Sequence, residues 1–281
     1  MKNKMRNYGF SLTEVLFAVG TLAIGMLFVA GTFPVAIYFS TIATERTVAA
    51  VVADEAFAKI RLHAIGDPND PNDDFKLGAL IIGRHTDFND ANVFPATFRI
   101  DPNEFPNGFA YPSDPDIHIS EKKYYWSALC RRVVDPVKGP TQLVQVTVFV
   151  SRKIGSGTTY WRREPITRVP YPIGWYPAPV DVNVTQIIPD ANELSINFLN
   201  PPNPPNPVEK TFINDGYTIL DDETGQIYRV LERYAAPDDD RIRLDRPWRG
   251  GVLPGSVWVV PPPANGGRYP CIAVYQKVIR F

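Results

Sequence analysis

One carboxylate stands alone in a long apolar run. Glu14 is the single charged side chain in residues 10–40, FSLTEVLFAVGTLAIGMLFVAGTFPVAIYFS, and the next charge is Glu45. The nine residues before the run, MKNKMRNYG, carry Lys2, Lys4 and Arg6 and no acid. A charge placed in a bilayer costs roughly 2.5–3.5 kcal/mol on insertion scales. An acid in such a place therefore needs a cation or a donor. The segment holds no cation, which points to a partner from elsewhere. The junction Gly9-Phe10 is the other chemical feature. Glycine has no side chain, so a protease can approach the backbone closely there.

The remaining reactive residue types are scattered. His63, His85 and His118 are far apart in sequence, and Cys130 and Cys271 are the two cysteines. GxSxG, Walker A, HExxH and CxxC patterns are all missing. The reading is therefore of a protein that is not an enzyme and has no cofactor and no metal. Residues 67–74 (DPNDPNDD) could offer oxygen ligands to Ca²⁺, but the spacing is no EF-hand and a solvated loop is expected. The run Pro237-Asp238-Asp239-Asp240 reads the same way. Residues 155–158 (GSGT) lack the phosphate-loop lysine and read as a hairpin turn. Arg241, Arg243, Arg246 and Arg249 cluster around Trp248, a pattern that could touch a nucleic-acid backbone. Asp238, Asp239, Asp240 and Asp245 lie in the same stretch, so a self-neutralised surface is expected and no nucleic acid is assigned.

These residues must be positioned by a helix and then by strands. The chain has 281 residues with 29 basic and 30 acidic side chains, which gives no general attraction to anionic partners. Its 28 prolines, about twice average usage, exclude a mostly helical protein. Residues 10–39 are long and apolar enough to span a bilayer. The cations before them place the N-terminus in the cytoplasm, and the rest of the chain outside it. The helix is expected to continue to residue 65, about 80 Å in all. Ala49, Val52, Ala53, Ala56 and Ile60 recur at helical spacing, with Glu45, Asp54, Lys59 and Arg61 off that stripe. Pro34 interrupts this helix, and Gly20, Gly25 and Gly31 weaken it.

Strands are expected at 123–134, 142–153, 182–188, 193–198, 216–220, 226–232, 241–244, 257–260 and 271–281. Val144, Val146, Val148 and Val150 alternate and form a face that would cover the helix. Residues 200–207 (NPPNPPNP) read as a stiff linker or surface loop. The expected organisation is a leader (1–9), a helix (10–65), a β head (66–200) and a small all-β module (208–281). The last strand is open: it belongs to the module or returns to the first sheet. The fold class is α+β: a long helix packed on an antiparallel sheet, with an additional β module.

The basic leader, Gly9-Phe10-Ser11-Leu12-Thr13-Glu14-Val15-Leu16 and the apolar helix after it resemble the type IV pilin and type II secretion pseudopilin superfamily. The likeness covers about residues 1–62. Residues 22–27 (LAIGML) look more like minor pilins of the PilV type and related pseudopilins than like major pilins. The resemblance implies a prepilin peptidase that cuts after Gly9 and methylates the new amine of Phe10. It implies that the helix forms a filament core, with Glu14 paired to the Phe10 amine of a neighbouring subunit. The implied partners are the prepilin peptidase, other pilin or pseudopilin subunits, an inner-membrane assembly platform and membrane lipid. The implied location is the inner membrane with a periplasmic head, then a pilus or pseudopilus. The expected function is a minor structural subunit. The alternatives are a pilus-tip adhesin with its ligand site on the head, and an uncleaved signal-anchored periplasmic protein. In an exported head, disulfides persist. Cys130 and Cys271 could pair if the last strand returns to the first sheet, and otherwise remain two buried thiols.

Overall fold

The computed structural model describes residues 10–63, 83–88, 107–114, 116–135, 139–155, 157–163, 170–186, 191–196, 207–250 and 254–280. The leader, the acidic loop at 67–74 and the proline-rich segment at 200–207 lie outside these residues. The chain divides into two compact units, Met1–Thr47 and Val48–Phe281. Helix α1, Leu12–His63, begins in the first unit and ends in the second. Its 52 residues correspond to about 78 Å of helix. Pro34 lies inside it.

In the first unit the apolar side chains of α1 are exposed: Leu12 is 81% accessible and Phe28 70%. The helix is long and apolar enough to cross a membrane. Its hydroxyls suit that setting. Thr21, Thr32, Thr41 and Thr44 each donate to a backbone carbonyl three or four residues earlier, at 2.9–3.0 Å. These hydroxyls therefore need no water.

The second unit begins with the amphipathic half of α1. Ala49, Val52, Ala53, Ala56 and Ile60 are buried, as their spacing predicts, and Phe57 joins them. Asp54 and Arg61 are exposed. Glu45, also read as lying off the stripe, is buried.

Thirteen strands are present among the described residues. Those of the first sheet are β1 (Thr86–Asp87), β2 (Ala110–Tyr111), β3 (Tyr124–Asp135), β4 (Gly139–Arg152) and β13 (Cys271–Arg280). The order is β1-β3-β4-β13, with β2 also on β3, and all pairs are antiparallel. The valine face of β4 packs in one core with the α1 stripe and with Trp126, Tyr125 and Phe109. Strands β5 (Tyr160–Arg163) and β6 (Pro170–Gly174) pair only with each other. The turn at 155–158 therefore joins two different sheets and is not a hairpin. Neither β5 nor β6 is among the strands that the sequence predicts.

A closed barrel takes the rest: β7 (Val180–Gln186), β8 (Glu193–Ile196), β9 (Thr218–Asp221), β10 (Ile227–Arg233), β11 (Arg241–Leu244) and β12 (Gly255–Val259). Its order is β10-β11-β8-β7-β12-β9, and β9 closes on β10. Alternate residues fill the interior, among them Val180, Val182, Val184, Leu194, Ile196, Ile242 and Leu244. Closure removes sheet edges. It also corrects the expected organisation. The barrel starts at β7, before the proline-rich segment, because β9–β12 need β7 and β8 to close the ring. The last strand leaves the module and pairs with β4 from Cys271↔Ser151 to Arg280↔Leu143.

The same topology keeps Cys130 and Cys271 apart, and both are free thiols. Cys130 opposes Val146, and Cys271 opposes Ser151, on opposite sides of β4. Two strand spacings, roughly 9.6 Å, and five residues of register separate them. A disulfide needs Cα atoms within about 7 Å. They also serve different cores, Cys130 with α1 and Cys271 with the barrel. Burial pushes both thiols up, which keeps them protonated.

Candidate functional site

The candidate site is the start of α1. Ser11 precedes the first helical residue, and Glu14 is the third residue inside the helix. The backbone N–H of Ser11 donates to Glu14 Oε2 at 2.9 Å, and the Ser11 hydroxyl donates to the same oxygen at 3.2 Å. The Glu14 N–H lies 3.2 Å from Ser11 Oγ and donates to it. This is a reciprocal capping box, which satisfies amides that the first helical turn leaves without partners. A carboxylate at this end also meets the positive end of the helix dipole.

The sequence reading looked for a cation for Glu14 and found none in the segment. The structure supplies uncharged donors from within it. Ser11 is thus the residue that the reading missed, although the S-x-x-E spacing before an apolar run is a legible signal. Glu14 still has lone pairs to offer: Phe10, Glu14, Val15, Ala18, Val19 and Leu22 line a shallow groove of about 440 Å³ on one side of the helix. Phe10 and Glu14 therefore share a face, as expected for residues one turn apart. Gly9 lies outside the described residues.

No protein-family model matches the chain, and no characterised protein or solved structure is similar to it. The site is accordingly read from its own geometry. A longer groove of about 760 Å³ runs farther along the helix, past Ala18, Gly25, Met26 and Phe33. A methyl group placed on Gly20, Gly25 or Gly31 would meet nothing within 4 Å. Nothing inside the described chain calls for these glycines. Small residues of this kind let a second helix approach closely in a membrane.

The other candidates resolve into structural roles. Asp238 pairs with Arg241 at 3.4 Å, Asp239 with Lys210 at 3.0 Å, and Asp240 accepts from the Ser195 hydroxyl at 2.7 Å. Each carboxylate thus has its own protein partner. Arg243 pairs with Glu232 at 3.2 Å, so half of the arginine cluster is neutralised locally. Among the described residues no three His, Cys, Asp or Glu side chains converge as metal ligands.

One buried polar group holds the barrel to the first sheet. The N–H of His85, beside β1, donates to Asp222 Oδ1 at 3.0 Å, and its Nδ1 donates to the Asp222 carbonyl at 2.7 Å. Trp258 Nε1 donates to Asp222 Oδ1 at 2.7 Å, and the Ser256 hydroxyl to Oδ2 at 3.2 Å. Burial lowers the His85 pKa to about 4, from an ordinary 6.5. The folded state therefore disfavours the imidazolium, and the unfolded chain takes up that proton first. Stability from this group is complete above about pH 6.5 and is lost as pH falls toward 4. The loss is on the order of 3 kcal/mol. Burial raises the Asp222 pKa, so proton uptake by folded Asp222 offsets part of that loss at the acid end. We expect His85→Gln to flatten the decline in urea midpoint between pH 6.5 and 4.5. An unchanged pH slope in the variant would remove His85 from the account.

Proposed function

We propose that this protein is a minor filament subunit of the type IV pilin or pseudopilin kind, cut after Gly9 and held in its filament by α1. The observation that carries the reading is the start of the helix. A single carboxylate, held by Ser11 and sharing a face with Phe10, heads a helix whose apolar side chains are exposed over residues 12–40. An apolar surface of that length needs lipid or neighbouring helices to cover it. Cutting at Gly9 would create an ammonium on Phe10 beside the groove that holds Glu14. A neighbour's ammonium could then bind the remaining lone pairs of Glu14, while packed helices exclude water. In this reading a prepilin peptidase makes the cut and methylates Phe10. The chain is first an inner-membrane protein with its head in the periplasm. An assembly platform then passes it into the filament.

The experiment is an intact-mass measurement on full-length protein extracted from membranes and from sheared filaments. The mature chain is expected to begin at Phe10, with a further 14 Da for about one methyl group on its amine. Gly9→Val is expected to leave residues 1–9 attached, because a branched side chain blocks close approach to the peptide bond. Wild-type protein that retains residues 1–9 in filaments would overturn the reading in favour of an uncleaved anchor.

A further inference from the structure

The barrel and the first sheet meet at the β9–β10 turn, and beside that turn lies a groove of about 690 Å³. This is within the range of small-molecule sites. The turn is fastened from the sheet side. Arg131 donates to the Glu223 carbonyl, and Gln276 Nε2 donates to the Gly225 carbonyl at 2.8 Å. Gly225 has φ +73°, and a Cβ there would come within 2.9 Å of the Gln145 carboxamide. The turn thus sits against the Gln145 side chain of the sheet, in a left-handed backbone conformation that favours glycine.

The polar groups that reach the groove have an uneven balance. Arg246 and Arg249 line it, and no lining residue is acidic. Arg246 is anchored on the Ile227 carbonyl and lies over the Tyr228 ring at 5.2 Å. Arg249 is held through its backbone N–H, which donates to the Tyr228 hydroxyl at 2.8 Å. Its guanidinium has no partner among the described residues. Asp245, the acid next to Arg246, accepts from the Arg229 N–H at 3.1 Å. Three carboxamides complete the lining. Gln145 uses its oxygen on Arg131, and Gln226 uses its oxygen on the Tyr228 hydroxyl, so among the described residues each keeps an N–H₂ donor without a partner. Gln276 uses its nitrogen on Thr147 and Gly225, and its oxygen accepts from no described residue. Ile227 and Pro247 supply apolar surface.

We infer that this groove binds an acidic saccharide. Two guanidiniums in a lining that holds no carboxylate call for an oxyanion. Carboxamide donors and a carboxamide acceptor together call for hydroxyl groups, which both accept and donate. The apolar wall takes the C–H face of a ring. A simple anion would leave the Gln276 oxygen without a donor, and a neutral sugar would leave the two guanidiniums without an anion in the groove. The inference does not rest on the filament reading, since the groove lies wholly within Val48–Phe281.

The test is calorimetric titration of the full-length protein in detergent micelles with three probes: glucuronate, glucose and sodium sulfate. Glucuronate is expected to saturate one site, with glucose and sulfate each at least tenfold weaker. Loss of one charge-assisted contact is worth about tenfold or more, so Arg249→Gln should weaken glucuronate by about that factor. Arg249→Glu should abolish it. Arg249 is exposed, so both variants should keep the wild-type thermal midpoint. Equal affinity for glucuronate and glucose would overturn the anionic requirement. Equal affinity for glucuronate and sulfate would overturn the saccharide. Absence of saturation, or wild-type affinity in Arg249→Glu, would overturn the site.

Discussion

Filaments sheared from cells that make the Glu14→Leu variant should contain almost none of it, although its membrane pool is normal and cut after Gly9. In the proposed filament the carboxylate has two separable jobs. It caps its own helix through Ser11, with Oε2 2.9 Å from the Ser11 nitrogen, and it offers its remaining lone pairs to the face shared with Phe10. Leucine removes both. The larger loss is the second. A neighbour's Phe10 ammonium left without a counter-charge in a dry helix bundle costs about 3–5 kcal/mol. That corresponds to a fall of about a hundredfold or more in incorporated copies.

Two further variants divide the roles. Glu14→Gln keeps a capping-box acceptor and loses the charge, so it should assemble as poorly as leucine. Ser11→Ala keeps the charge and loses the cap, at a cost of about 1 kcal/mol, so it should assemble within tenfold of wild type. Glu14→Asp should be intermediate, because its carboxylate reaches less far. The measurement is the ratio of each variant in filaments to its membrane pool. Wild-type incorporation of Glu14→Gln would show that the charge recruits nothing.

The second large effect is expected at Arg163, at the end of β5. Its guanidinium bonds Asp181 Oδ1 at 2.8 Å and Glu209 Oε1 at 3.0 Å, and it also donates to the Asp181 carbonyl. All three side chains are at most 20% exposed. Burial works against the charged guanidinium, yet the two carboxylates outweigh that cost and raise its pKa. The triad joins three distant parts of the chain: β5, the first barrel strand β7, and the short 3₁₀ turn at Pro207–Thr211. Arg163→Met keeps much of the volume but strands two carboxylates with no cation between them. A loss of about 3–5 kcal/mol is expected. It should appear as a lower urea midpoint, followed by tryptophan fluorescence. Adding Glu209→Gln to Arg163→Met should recover part of the loss by removing one stranded charge. A midpoint for Arg163→Met within error of wild type would show that the triad contributes no net stability.

The helix and the long strands were legible because each repeats at its own period, whereas the short strands β1, β2, β5 and β6 were not. The α1 stripe from Ala49 to Ile60 follows 3.6-residue spacing, and Val144 to Val150 follow a period of two. Both sets are buried where those periods place them. The lone carboxylate and the apolar span were likewise written in the order of residues. So was the Ser11–Glu14 cap, which a search for cations overlooked.

What the sequence by itself left open was the choice of partners. Alternating apolar residues in Val180–Gln186 and the apolar run that opens Cys271–Arg280 mark both as strands, and nothing in either pattern names the strand beside it. Only the folded chain puts the first into the barrel and the second beside β4. That choice in turn holds the two thiols apart and places Gln276 against the β9–β10 turn. It also brings Arg246 and Arg249 to a groove shared with the first sheet. The physical reason is that period-two alternation reports one buried face. Strand pairing is made by backbone N–H and C=O groups, which every non-proline residue carries alike. Which distant edges meet is decided by closure of the barrel and by the packing of both faces of β4.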